Sequence, residues 1–372
     1  MSVREPSSGS GGVTPGPNVP WLAGEGEASD VVFSSRVRLA RNLAGVRFVG
    51  KADRRERLQV LEACRERIDH LAGCGPLMWI NLHESSIIHR TLLVERHLIS
   101  KQHSKSRGGN AEDPRSVVFS VPDERLSIMV NEEDHLRLQA VMPGLCLDAC
   151  WKMLDGIDDA IGAGLAYAFS PRFGYLTACP TNVGTGLRMS AMLHLPALRL
   201  TGELEKVKRA ANDLSLAVRG FYGEGSDAVG DLYQLSNQTT FGQTEESILT
   251  ELQQDILPRI VEYERIARRE LLAKRRTTIE DQVFRAFGTL LHARLLGTEE
   301  SMTLLSLVRL GVVSGLINSY AQSKINRLLL MVQPGHLQLA AGKELDQEQR
   351  KAARAELVRA ELMDSKGDVS RT

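Results

Sequence analysis

An α+β domain followed by an all-helical one is the fold class this sequence predicts, on three observations. From Trp21 to about Leu257, short or alternating apolar runs such as "SVVFSVP", "RLSIMVNE" and "GYLTACP" read as strands. Among them, "RRERLQVLEACRERIDHLAG" and "LCLDACWKMLDGIDDAIGAGLAYA" carry helical spacing. After about Pro258 the strand signals stop and amphipathic helical stretches follow one another. The chain has 372 residues, 42% of them hydrophobic and 25% charged, enough for a sizeable core and more than one domain.

Taken in order, residues 1–20 are rich in Ser, Gly and Pro and nearly free of large apolar side chains, so they are expected to form a flexible tail. Residues 21–257 form the α+β domain. Residues 258–362 form the helical one, in which Ile279, Val283, Phe287 and Leu290 of "IEDQVFRAFGTLLHARLLG" share a face. Its last helix is expected to start near "DQEQRKAARAELVRAELM", with Asp346 and Gln349 in the N-cap and N3 places of a capping box. Residues 363–372 are a second tail, and no internal repeat is visible.

Lys+Arg and Asp+Glu both total 46, so overall charge gives no attraction to nucleic acid or a lipid surface, and any basic site is local. No apolar run is long enough to span a bilayer and the first residues lack a secretory pattern, so a cytoplasmic address is expected. The five cysteines are scattered without a C-x-x-C pair, which argues for reduced thiols over a disulfide framework or a zinc site.

Four stretches place arginine or paired acids at a strand end or turn. In "SSRVRLARN", Arg36 and Arg38 lie two apart and project from one face of an extended chain, as two parallel forks for phosphate oxygens or as a solvated strand edge. "SIMVNEEDHLRL" ends an alternating strand in Glu132, Glu133 and Asp134, with Arg137 beyond: a wet loop, a metal-ligating cluster, or a base beside a phosphate clamp. "CPTNVGTGLRMSAMLHLP" is neither a nucleotide-hydrolase phosphate loop nor a dinucleotide fingerprint; its glycines allow a tight path that aims Arg188, or a plain hairpin turn, before a buried strand resumes. "LAVRGFYGEGS" sets Arg219 and Glu224 around a glycine turn.

Together and in this order, "SSRVRLAR", "VNEEDHLR", "CPTNVGTGLR" and "RGFYGEG" resemble the catalytic domain of the phosphagen (guanidino) kinases. From about Trp21 to about Leu362 the chain resembles their bacterial protein arginine kinase branch, the McsB type. Small-molecule members carry a helical domain ahead of the "SSR" motif, whereas here that motif arrives at Ser34 and a helical domain follows. The resemblance implies an antiparallel sheet flanked by helices, of the glutamine-synthetase-like kind. It also implies transfer of the ATP γ-phosphoryl group, with Mg2+, to an arginine side chain in a protein, as a degradation tag or regulatory mark. A kinase for free arginine or another small guanidino compound and a non-catalytic phosphoarginine-binding protein are the alternatives.

The resemblance also assigns residues. Arg36, Arg38, Arg137, Arg188 and Arg219 are implied to grip the phosphates, within nucleotide-binding runs Ser34, Ser35, Arg36, Val37, Arg38; Arg188, Met189, Ser190, Ala191, Met192; and Arg219, Gly220, Phe221, Tyr222, Gly223. His97 is implied to pack on the adenine, Glu133 to be the base and guanidinium anchor, Glu224 the second anchor, and Cys179 a reactive thiol near the acceptor. The branch carries an Arg-Asp-x-x-Arg-Ala motif that binds phosphoarginine; here "RKAARA" keeps Arg350, Arg354 and Ala355 but has Lys351 for the acid, so these residues either hold phosphate or decorate an exposed helix. Implied partners are a Clp ATPase or protease, a zinc-binding activator protein and a second copy in a homodimer.

Overall fold

The structure is a computed structural model and describes residues 19–105, 113–220 and 229–364. Its strands are β1 (Val32–Arg41), β2 (Leu77–Asn81), β3 (Ser116–Ser120), β4 (Leu126–Val130), β5 (Leu136–Pro143), β6 (Phe169–Ser170), β7 (Gly174–Tyr175), β8 (Leu187–His194), β9 (Leu216–Arg219) and β10 (Leu232–Asn237). Its helices are α1 (Arg54–Ile68), α2 (Ile87–Glu95), α3 (Lys101–Ser104), α4 (Leu147–Gly162), α5 (Pro196–Thr201), α6 (Leu204–Asp213), α7 (Glu245–Thr250), α8 (Leu257–His292), α9 (Thr298–Val313), α10 (Gln322–Met331), α11 (Pro334–Ala340) and α12 (Gln347–Asp364).

The described residues form an eight-stranded sheet in the order β2-β3-β4-β5-β1-β8-β10-β9, antiparallel at every pairing. Because successive side chains of a strand point to opposite faces, each central strand presents an apolar row and a polar row. Val37 and Leu39, Leu138 and Ala140, Ile128, and Met189 and Ala191 are buried on the first face, where α4 packs across β1, β5 and β8. Ser35 lies on that face too: its hydroxyl donates to Gly144 O (2.9 Å) and accepts from Cys146 N (2.9 Å), fastening the entry to α4.

The helical region behaves as its periodicity predicts. Ile279, Val283 and Leu290 of α8 are buried with Phe287 packed beside them, and Asp346 and Gln349 exchange the two capping-box bonds ahead of α12 (2.8 and 3.1 Å). Two expectations are corrected. "GYLTACP" is not a strand beyond the two residues of β7: after Leu176 N, which donates to Ala168 O (2.9 Å), the backbone turns to side chains, with Ala178 N donating to Asp134 Oδ1 (2.6 Å) and Cys179 O accepting from Thr177 Oγ1 (2.7 Å). Val19, expected in the tail, is buried next to Trp21 in the core; residues 1–18 lie outside the described residues.

Candidate active site

The polar face of the sheet collects the arginines. Antiparallel pairing sets Arg38 of β1 directly between Gln139 of β5 and Arg188 of β8, and Arg36 opposite Ser190. Arg137 lies two residues from Gln139 on the same face, and Arg219 of β9 pairs with Gln234 of β10, which in turn pairs with Met192 of β8. All five arginines are half-buried. Burial pushes the Arg38 guanidinium well below its ordinary range, and Arg36, Arg137, Arg188 and Arg219 push it further. Burial, with Arg137 and Arg188, lowers Arg36 to about 9 against the pull of Glu132. Five like charges drawn from four strands are therefore close enough to repel one another. Arg38 Nε is buried with no hydrogen-bond partner among the described residues.

The glycines of the turn before β8 are there for the backbone. Gly184 and Gly186 have φ of +114° and +67°, and a Cβ would meet Thr240 O at 2.8 Å in the first case and Ala40 O at 2.6 Å in the second. Arg188 itself lies in β8, with Nη2 donating to Ser236 Oγ (3.2 Å).

The three acids between β4 and β5 have different surroundings. Glu132 is buried and accepts from Arg137 Nη1 (2.8 Å), Ser100 Oγ (2.5 Å) and Glu133 N (2.9 Å). Burial alone would raise its carboxyl, but Arg137 and these donors hold it down at about 2. Asp134 is buried and accepts from Asn42 Nδ2 (2.6 Å) and Ala178 N (2.6 Å), so it ties the acid turn to the loop carrying Cys179; burial raises its carboxyl. Glu133, between these two struts, is half-buried and lies within the field of Arg137. Cys179 is half-buried, with Sγ 3.1 Å from Thr181 Oγ1.

His97 borders the arginine face after α2. Its φ is +60°, its carbonyl accepts from Gln139 Nε2 (2.7 Å), and its ring meets Trp21 edge-on with centroids 5.2 Å apart. Burial, helped by Arg36 and Arg38, lowers the imidazole to about 3, so it is neutral.

Of the remaining sequence-predicted positions, Ser34, Ser190 and Met192 alternate onto the arginine face, while Ser35, Val37, Met189 and Ala191 point into the core on the other side. Gly220 is buried after β9; Phe221, Tyr222, Gly223 and Glu224 lie outside the described residues. Arg350, Arg354 and Ala355 sit on α12. Arg354 is not a surface decoration: it is 2% exposed and donates to Val332 O (2.7 Å) and Leu296 O (2.8 Å). Ala355 is in the core, and Arg350 Nη1 donates to Leu345 O (2.6 Å). Sequence reasoning missed Gln139 and Asn42. The alternation of "LRLQ" places Gln139 with Arg137, but nothing local signals that Asn42 reaches Asp134.

Comparison with known proteins bears on what this face does. The family model described as ATP:guanido phosphotransferase, C-terminal catalytic domain, matches residues 59–267, and that of the protein-arginine kinase McsB C-terminal domain matches residues 276–371. A protein-arginine kinase of Halothermothrix orenii is 42% identical over 92% of this chain and 96% of its own length. One of Pelotomaculum thermopropionicum is 44% identical over 92% and 95%. Among solved structures, a lombricine kinase superposes with a TM-score of 0.56 at 24% identity, over 68% of this chain and 72% of its own, a likeness of fold.

Proposed function

Because the chain belongs to the protein-arginine kinases, ATP:guanido phosphotransferases that phosphorylate arginine residues in proteins, we propose that the arginine face of its sheet is where the transfer takes place. The observation that carries this reading is Arg38, buried among four other arginines with Nε lacking a partner among the described residues. Such a cluster is destabilised until a polyanion lies across it, and a triphosphate fits that need. In this reading Arg36, Arg38, Arg137, Arg188 and Arg219 hold the phosphates, and neutral His97 offers its ring to the adenine. Ser34, Ser190 and Met192 can meet the nucleotide through side chains on that face, whereas Ser35, Val37, Met189 and Ala191 act through the strands they build.

The acceptor guanidinium is cationic and a poor nucleophile until it loses a proton. Glu133 takes that proton as the nitrogen attacks the γ-phosphorus; the N–P bond forms, the bond to the β–γ bridging oxygen breaks, and ADP leaves. Glu132, an anion fixed by Arg137, and Asp134, fastened to the Cys179 loop, hold Glu133 in place from either side. Glu224 is the second anchor, and Cys179 stands near the acceptor. Bound together with ATP, magnesium would supply charge neutralisation at the transferring group; among the described residues no cluster of three His, Cys, Asp or Glu stands ready to hold a metal.

The same reading divides the chain at 257/258, gives the helical domain a homodimer contact, and makes Arg350, Arg354 and Ala355 the reduced remnant of a phosphoarginine site. It places the protein in the cytoplasm in protein quality control and the stress response, with a Clp ATPase or protease and a zinc-binding activator as partners. Among the described residues no helix is long and apolar enough to cross a membrane.

Incubation with labelled ATP and a protein substrate should put acid-labile label on arginine. Glu133→Gln should slow that transfer by about 10²-fold or more while leaving ATP binding intact. Equal rates for the two proteins would remove Glu133 as the base.

A further inference from the structure

Gln139 is 1% exposed in the middle of β5, on the arginine face, and its carboxamide is shared among three neighbours. Oε1 accepts from Arg36 Nε at 2.6 Å, while Nε2 donates to the carbonyl of His97 at 2.7 Å and to Ser127 Oγ at 3.1 Å. The chemistry of the partners forces this orientation. Guanidinium only donates and a carbonyl only accepts, so a flipped amide would set donor against donor and acceptor against acceptor. The His97 carbonyl belongs to a residue with φ of +60°, a conformation that a non-glycine residue keeps only when its surroundings hold it.

We infer that Gln139 is a positioning residue that sets the spacing between the base end and the phosphate end of the nucleotide site, by holding Arg36 and the His97 backbone on the two ends of one amide. The inference rests on the proposed nucleotide site. A glutamine at this place makes the site selective for a ligand carrying both a base and a phosphate chain, because the two halves are held at one separation only when both bonds are made. Ser127 is a bystander that fills the second N–H.

The test measures KM for ATP, KM for the protein substrate, and inhibition by inorganic tripolyphosphate, which has the phosphates without the base. Gln139→Met loses both ends and should raise KM for ATP about tenfold or more, leave KM for the protein substrate unchanged and weaken tripolyphosphate. Gln139→Glu keeps an acceptor for Arg36 and loses the donor to His97. Its added negative charge opposes both polyanions alike, so it should raise KM for ATP by a larger factor than it weakens tripolyphosphate, and it serves if Gln139→Met does not fold. Ser127→Ala should change none of the three. If Gln139→Glu weakens ATP and tripolyphosphate equally, or Ser127→Ala matches Gln139→Met, the spacing role is overturned. Arg38→Ala separates the two levels: ATP binding lost there but unaltered in both Gln139 variants sinks the inference alone, whereas ATP binding unaltered in Arg38→Ala sinks the site and the inference with it.

Discussion

Two clusters of arginine in the molecule are surrounded in opposite ways. Where α8 and α9 meet the sheet, Arg199, Arg265, Arg268 and Arg309 are matched against Asp30, Asp231 and Glu264. Arg309 alone donates to Asn326 Oδ1, Asp30 O, Ser29 O and His194 Nδ1, and lies 4.2 Å over the Phe33 ring. On the polar face of the sheet, four arginines act on Arg38, and Glu132 is already engaged by Arg137. Cations interleaved with acids hold a fold together, whereas cations that repel one another on one face gain when an anion lies across them. Residue type is the same in both places, and the balance of partners separates them.

That contrast breaks if removing an arginine has the same consequence in both. Arg309→Met leaves His194, Asn326 and two backbone carbonyls short of a donor at the interface, and should cost about 3–5 kcal/mol of stability, read by urea unfolding. Arg38→Ala should instead leave stability equal or raised, because it relieves like-charge repulsion. Its loss should appear in catalysis, about 10²–10³-fold in kcat/KM for ATP or about 3–4 kcal/mol. Tripolyphosphate should raise the unfolding midpoint of the native protein and of Arg309→Met, and much less that of Arg38→Ala.

Alternation makes part of the arginine face legible in the sequence. "SSRVRLAR" puts Arg36 and Arg38 on one side with Val37 and Leu39 on the other, and the register of neighbouring strands does the rest. The same alternation sends Arg41, three residues past Arg38, to the opposite face, where it forms a buried ion pair with Asp158 of α4 (2.7 Å), 117 positions away. Nothing local in either segment announces that partner. The interface cluster was illegible for the same reason, since Asp30 meets Arg265 and Arg268 across 235 and 238 positions. Arg354 shows the limit from the other side: surface-like spacing on α12 says nothing of the carbonyls of Val332 and Leu296 that draw it inward.

Each cluster also holds a neutral histidine, which lets pH sharpen the comparison. His97 beside Arg36 and Arg38 is lowered to about 3, and His103, whose Nε2 donates to Ser116 O, to about 4; burial is the main cause in both. Glu132 and the Ser116 carbonyl oppose the shift of His103, while Arg115 and Arg137 add to it. Burial and Arg309 push His194 down as well. With folded values below the unfolded value of about 6.5, the unfolded chain takes up protons first as pH falls. Stability is therefore fully present above about pH 6.5 and declines toward pH 4, on the order of 2 kcal/mol by pH 5 for each of His97 and His103. An acid loss that stays undiminished in the His97→Gln, His103→Gln double variant would point to other groups.

The smallest expected effect isolates one bond of the balanced cluster. His194 Nδ1 accepts from Arg309, which leaves Nε2 carrying the proton; Nε2 donates to Ser306 Oγ (2.9 Å), and Ser306 donates to Asp231 Oδ2 (2.7 Å). Ser306→Ala removes the hydroxyl between them and strands the Nε2 proton, while Asp231 keeps Arg199. With only one group stranded, the loss should be about 1 kcal/mol of unfolding free energy. KM for ATP should not move, because β8 carries His194 at one end and Arg188 at the other, and its pairing with β1 and β10 holds Arg188 in register without that bond. A raised KM in Ser306→Ala would mean instead that the balanced cluster helps to aim the arginines of the sheet face, and the two regions would then be one device.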